Sequence, residues 1–336
     1  MKIVDSTLQL VGNTPLKKLT KVTGGASANV LVKCEYFNPS GSIKDRMALR
    51  MIEEAEGAGK LKPGGTIVDQ TSGNTGPALS FVGNVKGYRV HLYIPSEWTG
   101  TYNPENRIKT MMFFGAEVES FTNAGYEGVL RQLKPSDESA ASTIVGMKKC
   151  FDLEKAVEGV WWANQSCNPD NTAAHRDSTG KEIVDQTDGR VDAFVASVGT
   201  GGTLFGISQA LRKANPGCGV VGLVPTDTLI TDWVRNHLFD RFIDQLGMPR
   251  YKFIIETMYE AGLPDRVETV RDEDARAMAN RLCREEGLFC GMSSGANVYA
   301  AVQMAKKMRR GENVVTVLVD RRDRYFPEYP NEHYVI

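Results

Sequence analysis

Short runs of β-branched and aromatic residues alternate along this chain with longer stretches in which apolar residues recur every three or four positions. The short runs predict eight strands: Val30–Tyr36, Thr66–Asp69, Tyr88–Ile94, Ala116–Phe121, Val160–Asn164, Asp192–Val198, Val220–Val224 and Asn313–Val319. The stretches between them predict helices, as in the apolar stripe of Ala78, Phe81, Val82 and Val85. This alternation predicts an α/β chain with open, mostly parallel sheets flanked by helices.

Composition narrows the class of protein. The 336 residues suffice for about two domains, and 41% hydrophobic with 24% charged residues is typical of a globular protein. Basic residues number 40 and acidic residues 41, so we expect neither nucleic acid nor a membrane surface as a partner. No apolar run approaches the roughly 20 residues that span a bilayer. Asp5 stands where a secretion signal would have its apolar core, so we expect a cytoplasmic protein.

The cysteines and histidines form no recognisable motif. The six cysteines include no C-x-x-C pair and there are only four histidines, so we expect no metal site and reduced thiols.

A glycine-rich loop, Gly199-Thr200-Gly201-Gly202-Thr203, follows a predicted strand and precedes a predicted helix. It lacks the Gly-Lys-Ser/Thr ending of a P-loop, and Leu204 occupies the third glycine position of a dinucleotide fingerprint. A helix start with free N–H groups and two hydroxyls is suited to one phosphate group. The alternative is a tight turn whose glycines serve packing.

Two further loops lie between a predicted strand and a predicted helix. Ser72, Asn74 and Thr75, in the loop Thr71–Gly76, offer polar side chains beside free N–H groups, which is suited to a carboxylate, although a plain turn is the alternative. In the loop Ser293–Asn297 we expect simple N-capping of the following helix.

Lys44 departs from the usual rules for helix ends. Ser42 and Asp45 have the spacing of a capping box, so Lys44 falls in the first turn, where the helix dipole disfavours a cation by about 0.3–1 kcal/mol. The same dipole lowers an ammonium pKa, which a nucleophilic Schiff-base lysine requires. A solvated surface lysine is the alternative. A reactive lysine together with a single-phosphate site indicates pyridoxal phosphate.

Several motifs, in this order, resemble the cysteine synthase/cystathionine β-synthase family of fold type II pyridoxal-phosphate enzymes. They are Val11–Leu16, Asn38–Arg46, Thr71–Gly76, Asn164-Gln165, Gly199–Thr203 and Gly291–Ala296. The resemblance implies a large cofactor-binding domain of residues 1–38 and 149–336. It implies a small, mobile, substrate-gripping domain of residues 39–148, and a homodimer.

The resemblance also implies roles for the matching residues. Lys44 would hold the cofactor through a Schiff base and later act as the general base. Asn74 would bond the ring hydroxyl of the cofactor. The phosphate would bind to Gly199, Thr200, Gly201, Gly202 and Thr203, and the substrate carboxylate to Thr71, Ser72, Thr75 and Gln165.

Four departures from the family pattern concern substrate choice. Arg321 replaces the serine that faces the pyridine nitrogen, where its charge would oppose protonation of that nitrogen; a register slip that points Arg321 away is the alternative. Ser166 replaces a phenylalanine of the pocket wall. The segment after Pro95 is longer and carries Trp98 and Tyr102. Residues 257–259 replace a glycine-rich loop after an enlarged segment, 226–253.

The resemblance implies β-replacement on a β-substituted L-alanine such as O-acetylserine, O-phosphoserine, serine or cysteine, with cysteine synthase-like sulfhydrylation expected first. Replacement by an amine or another thiol, as in diaminopropionate formation, and net elimination of sulfide from cysteine remain open. A non-catalytic homologue that binds phosphate or an amino acid is the alternative from a different class. The expected partners are a small amino-acid substrate and a small nucleophile.

Overall fold

The computed structural model describes residues 3–96, 104–127, 138–224 and 243–325, with only the backbone of 138–141. In these ranges the strands are β1 Leu16–Lys18, β2 Asn29–Cys34, β3 Thr66–Gln70, β4 Arg89–Pro95, β5 Glu117–Phe121, β6 Val160–Trp162, β7 Ala193–Ser197, β8 Gly219–Val224, β9 Arg266–Thr269 and β10 Asn313–Leu318. They form a six-stranded sheet in the order β1-β2-β10-β7-β8-β9 and a four-stranded sheet in the order β5-β4-β3-β6. Every pairing is parallel except that of β1 with β2.

Helices connect and cover these strands. In the described ranges they are α1 Lys44–Gly57, α2 Thr75–Val85, α3 Glu105–Phe113, α4 Glu138–Ala156, α5 Pro169–Ala174, α6 Lys181–Thr187, α7 Gly202–Ala214, α8 Ile254–Glu260, α9 Asp272–Glu286 and α10 Met292–Ala305. A π-helical turn, His175–Gly180, joins α5 to α6. Within the described part of the chain, no helix combines the length and apolarity needed to cross a membrane.

Strand β10 shows why the six-stranded sheet has apolar side chains on both faces. Val314 and Leu318 pack into a core cluster with α9 and α10, whereas Val315 and Val317 pack into a second cluster with α7. Successive side chains of a strand point to opposite faces, and a parallel sheet between helices buries both. The near-continuous apolar run of β10 is therefore a consequence of its central position in the sheet.

The predicted fold class is confirmed, and all eight predicted strands are present with small shifts at their ends. Strands β1 and β9 were missed, since their sequences, Leu-Lys-Lys and Arg-Val-Glu-Thr, are short and mostly polar. Strand β6 lies after residue 148, within the predicted large domain. It nevertheless pairs with β3, which lies within the predicted small domain. The division into a large and a small mobile domain stays a prediction.

Candidate active site

Lys44 is the first residue of α1, in the helix turn that the sequence predicted. The residues before it are attached to the end of β10, because Ile43 donates its N–H to Val319 O at 2.9 Å and Ser42 pairs with Asp320. Burial lowers the pKa of the Lys44 ammonium to about 8. Among the described residues, none hydrogen-bonds or ion-pairs with its Nζ. A lysine of this pKa is partly neutral near pH 8 and can add to a carbonyl carbon.

Of the predicted capping box, the contact of the Ser42 side chain with a backbone N–H is present, but the return contact from the Asp45 side chain is not. Ser42 Oγ accepts the N–H of Lys44 at 3.3 Å. The Asp45 carboxylate, however, turns to Ser40, from which it accepts the backbone N–H at 2.6 Å and the hydroxyl. Burial raises the pKa of Asp45 to about 6 despite these hydrogen bonds. Asp45 therefore stabilises the turn that precedes Lys44.

Arg46 anchors the same helix from its other side. Its guanidinium donates to both carboxylate oxygens of Glu35 at 2.7 Å and to Glu182 at 2.6 Å. Glu182 also accepts from the buried Lys33 at 2.6 Å. Burial alone would raise the pKa of Glu182, but the bonds from Arg46 and Lys33 lower it to about 2. This paired cluster fixes the first turn of α1 against β2 and α6.

The loop Thr71–Gly76 follows β3 and leads into α2, as predicted. Thr71 is buried and its Oγ accepts the N–H of Gly73 at 3.1 Å. A Cβ on Gly76 would lie 2.1 Å from the Met111 side chain, so glycine permits α3 to pack closely on this end of α2. Ser72 is partly exposed, so the loop presents hydroxyl groups and the N–H groups of a helix start to the surrounding space.

Asn74 is held at both ends of its amide by residues that follow β10. Its Nδ2 donates to Asp320 at 2.6 Å, and its Oδ1 accepts from Arg324 at 2.6 Å. Asp320 is fully buried, and burial raises the pKa of its carboxyl group although Tyr325, Arg324 and Asn74 oppose this. One N–H of the Asn74 amide remains for a further acceptor.

Thr75 and Gln165, which lie 90 residues apart in the chain, come together. Gln165 Nε2 donates to Gln70 O at 3.2 Å. This fixes the orientation of the amide, because a carbonyl can only accept. Gln165 Oε1 therefore accepts the Thr75 hydroxyl at 2.5 Å. Gln165 keeps one N–H for a ligand, whereas the hydroxyl hydrogen of Thr75 is already used.

Asp69 lies beneath this pair and was not singled out from the sequence, where it reads only as the end of a strand. Its buried carboxylate accepts from Trp162 Nε1 at 3.1 Å, Gln165 N at 3.3 Å and Gln70 N at 2.9 Å. Burial raises its pKa to about 7, since these neutral donors compensate only partly. Asp69 thus orients the backbone of Gln165.

The loop Gly199–Thr203 joins β7 to α7. Gly201 has φ +91°, and a Cβ there would lie 3.0 Å from Ile255, so both backbone and space require glycine. No side chain caps this helix, and its first N–H groups are free to meet a ligand. Two fully buried residues that sequence reasoning missed touch the hydroxyls of the loop: Asn171 bonds Thr200, and His175 bonds Thr203.

The predicted capping role of the loop Ser293–Asn297 is wrong. Helix α10 begins at Met292 without a side-chain cap. Ser294 Oγ instead accepts the N–H of Val319 at 2.8 Å, and Asn297 accepts the N–H of Ser197 at 2.8 Å. These side chains attach the helix to the ends of β10 and β7, beside the predicted site.

Arg321 is exposed, in contrast to the buried Asp320 that precedes it. Its side chain is 55% exposed and forms an ion pair with Asp323 at 2.8 Å. It lies over Gly41, where a Cβ would be 2.9 Å from Arg321 Cδ. The pyridine-nitrogen contact therefore remains a prediction from the resemblance.

Hydrogen bonds connect the separate parts of the site. Asn171 Nδ2 donates both to Gln165 O at 2.8 Å and to Thr200 at 3.2 Å. Because Gln165 also bonds Thr75, these contacts connect the Thr71–Gly76 loop to the glycine-rich loop. Helix α1, which begins at Lys44, contacts the π-helical turn His175–Gly180, and His175 contacts Thr203 of the glycine-rich loop. A Cβ on Gly199 would meet nothing within 4 Å. The open glycine-rich loop near a low-pKa lysine fits pyridoxal phosphate.

Comparison with known proteins agrees with this assignment of the cofactor. The family model described as "Pyridoxal-phosphate dependent enzyme" matches residues 7–320. The chain belongs to this family. It is therefore a pyridoxal-phosphate-dependent enzyme of the α/β fold that the resemblance predicted, and its cofactor is pyridoxal 5'-phosphate.

Comparison with individual proteins shows which members of the family the chain is similar to. Cystathionine beta-synthase of Mus musculus is 35% identical over 338 residues, covering 100% of this chain and 57% of that protein. The chain thus spans little more than half the length of this relative. Cysteine synthase of Staphylococcus aureus (strain N315) is 38% identical over 325 residues, with 96% of each protein covered. The crystal structure of O-ureido-L-serine synthase matches with TM-score 0.79 and 30% identity, covering 99% of this chain and 98% of that one.

Proposed function

We propose that this enzyme catalyses β-replacement on a β-substituted L-alanine, most simply the addition of sulfide to an activated serine such as O-acetylserine or O-phosphoserine. One observation carries the proposal. Contacts through Asp320, Gln165 and Asn171 connect the turn before Lys44, the Thr71–Gly76 loop and the Gly199–Thr203 loop. Likeness to cysteine synthase supports sulfide as the nucleophile.

Different residues of the chain would hold different parts of the cofactor. When bound, pyridoxal phosphate supplies an electron sink for the substrate α-carbon. Lys44 would hold its aldehyde carbon, Asn74 would donate its remaining N–H to the ring hydroxyl, and Gly199–Thr203 would bind its phosphate. Arg321 would lie near the pyridine nitrogen and keep it an acceptor, which requires a good leaving group on the substrate β-carbon.

The substrate carboxylate would be bound by Thr71, Ser72, Thr75 and Gln165. Gln165 offers its second N–H, and Thr75 offers its backbone N–H at the start of α2. Binding would orient the substrate α-hydrogen toward Lys44, whose lowered pKa lets the free amine accept that proton near neutral pH. Closure of the small domain would exclude water from the reacting carbons.

A second candidate is β-replacement with an amine or another non-sulfide nucleophile. The structural likeness to O-ureido-L-serine synthase favours it, and Ser166, where the family has phenylalanine, makes this part of the pocket wall more polar. Net elimination of sulfide from L-cysteine is the third outcome to be tested. The homodimer and the cytoplasmic location stay predictions.

A substrate panel tests the proposal. Purified enzyme is supplied with O-acetylserine, O-phosphoserine, serine or cysteine, each with sulfide, a thiol or an amine, and products are identified by mass spectrometry. We expect the wild-type enzyme to form cysteine from an activated serine and sulfide, and Lys44→Ala to form none. The variant should also lack the borohydride-reducible link between the cofactor and Lys44. Release of sulfide from cysteine without any replacement product would contradict the proposal.

A further inference from the structure

The helical segment behind the glycine-rich loop carries two buried polar side chains spaced four residues apart, Asn171 in α5 and His175 at the start of the π turn. Residues at this spacing lie on one face of a helix. Both are fully buried, and each contacts one of the two threonines of the loop, Thr200 and Thr203.

Glycines bring the loop and the helical segment unusually close. A Cβ on Gly202 would lie 2.2 Å from Asn171 Oδ1, and a Cβ on Gly206 would lie 2.3 Å from Thr172 O. Gly180 faces Ala210 in the same way, since a Cβ there would lie 2.6 Å from that side chain. Close approach of the two helices therefore places Asn171 and His175 within hydrogen-bond distance of the loop hydroxyls.

The contacts of Asn171 determine which way the Thr200 hydroxyl points. Nδ2 donates to the backbone carbonyl of Gln165 at 2.8 Å, and since a carbonyl can only accept, the amide orientation is fixed. The same Nδ2 donates to Thr200 Oγ at 3.2 Å. Thr200 is thus the acceptor in this contact, and its own hydrogen is free for a ligand.

The direction of the Thr203 hydroxyl depends on His175. Its Nε2 lies 3.2 Å from Thr203 Oγ, and its Nδ1 lies 3.1 Å from Thr179 Oγ. Burial, with the nearby charges of Lys44 and Arg46, lowers the pKa of His175 well below its usual value, so the ring is neutral and carries one N–H. If that hydrogen were on Nδ1, Thr203 would have to donate its own hydroxyl hydrogen to Nε2. Only the lone pairs of Thr203 would then face the phosphate dianion, which needs a donor.

We propose that Asn171 and His175 are positioning residues that turn the hydroxyl hydrogens of Thr200 and Thr203 toward the cofactor phosphate, with the imidazole hydrogen of His175 on Nε2. This rests on the proposed phosphate site at Gly199–Thr203. In this arrangement Thr179 donates to Nδ1, Nε2 donates to Thr203, and Thr203 donates to the phosphate. The chain of donors is complete only with a neutral His175.

Nitrogen NMR of the holoenzyme tests the arrangement without any change to the binding site. Histidine is ¹⁵N-labelled, and His175 is assigned by the resonances that disappear in His175→Gln. We expect a neutral ring with its hydrogen on Nε2. A hydrogen on Nδ1, or a doubly protonated ring, would overturn the proposal.

Affinity for pyridoxal phosphate supplies the second measurement. Apoenzyme is titrated with the cofactor, and ³¹P NMR reports on the bound phosphate. Asn171→Asp and His175→Leu should raise the dissociation constant roughly tenfold to a hundredfold, as expected for losing an oriented donor to a charged group. His175→Gln, which can still donate to Thr203, should stay within about threefold of wild type. Equal losses in His175→Gln and His175→Leu would count against the proposal.

A control separates this inference from the phosphate site itself. Thr200→Val with Thr203→Val removes both hydroxyls and leaves Asn171 and His175 in place. If this double variant binds the cofactor as wild type does, the two hydroxyls do not contact the phosphate and the positioning role is wrong, even where the N–H groups of Gly199–Thr203 hold the phosphate. If it binds weakly while Asn171→Asp and His175→Leu bind normally, only the positioning role is wrong. Asn84→Asp, the same substitution on an exposed residue of α2, should leave the affinity unchanged.

Discussion

Asp69 makes the stability of this enzyme depend on pH in a direction unusual for a carboxylate. Burial raises its pKa from 3.8 to about 7, so between these values the folded state binds a proton that the unfolded state does not. Stability falls as pH rises through this window, by about 1.4 kcal/mol per pH unit. The whole window therefore amounts to about 4 kcal/mol.

The substitution Asp69→Asn removes this titration and keeps an oxygen acceptor for Gln70 N and Trp162 Nε1, which both donate to Asp69 Oδ1. We expect the free energy of unfolding of wild type, measured relative to Asp69→Asn, to fall by roughly 3 kcal/mol between pH 5 and pH 8. The assay is urea unfolding of both proteins at each pH, with equal concentrations of cofactor, followed by fluorescence and circular dichroism.

Asp265→Asn is the matched control. Partial burial of Asp265 is outweighed by hydrogen bonds from Arg212 and Val220, so its pKa is lowered, and the difference from wild type should be constant between pH 5 and pH 8. If the difference between wild type and Asp69→Asn is equally constant, Asp69 is charged in the folded protein throughout this range, and the reasoning from burial fails.

Three further predictions concern the site. Arg46→Met should cost about 3–5 kcal/mol in urea unfolding, because it leaves the buried carboxylate of Glu35 without its cation and the partly buried Glu182 with Lys33 alone; a loss below about 1 kcal/mol would show that the cluster relaxes. Gln165→Glu should raise KM for the amino acid about tenfold or more with a smaller effect on kcat, because the free N–H is replaced by a negative oxygen; an unchanged KM would remove Gln165 from the carboxylate site. Arg321→Ser should leave cofactor content unchanged and raise the pKa of the cofactor ring nitrogen, read by ¹⁵N NMR of labelled cofactor; an unchanged resonance would show that Arg321 stays with Asp323, away from the ring.

The sequence was most informative where function depends on local geometry. Lys44 at a helix start and glycines between strand and helix are visible in a few consecutive residues, and the structure places them in those local settings. The partners of these motifs were not predictable. His175 and Thr203 are 28 residues apart, and Asn74 and Arg324 are 250 apart, so only the packing of the chain brings each pair together.

Local signals also misled in two places. The Ser42–Asp45 spacing is that of a capping box, but Asp45 is buried and finds two donors on Ser40. Ser294 was expected at the start of a helix, but the helix begins earlier, at Met292, and Ser294 Oγ accepts the N–H of Val319 at the end of β10. At Asp45 a contact with the preceding turn, and at Ser294 a contact with the distant end of β10, replace the hydrogen bond that the sequence pattern indicated.

The central position of β10 has a consequence for how the protein is made. Strand β2 lies between β1 and β10, and its pairing with β10 joins Asn29 to Asn313. During synthesis, β2 therefore has one open edge until the last described strand has left the ribosome. The turn before Lys44 also depends on residues 319 and 320. Pairings so distant along the chain form slowly, and cofactor capture is thus expected only after residue 320 has been synthesised.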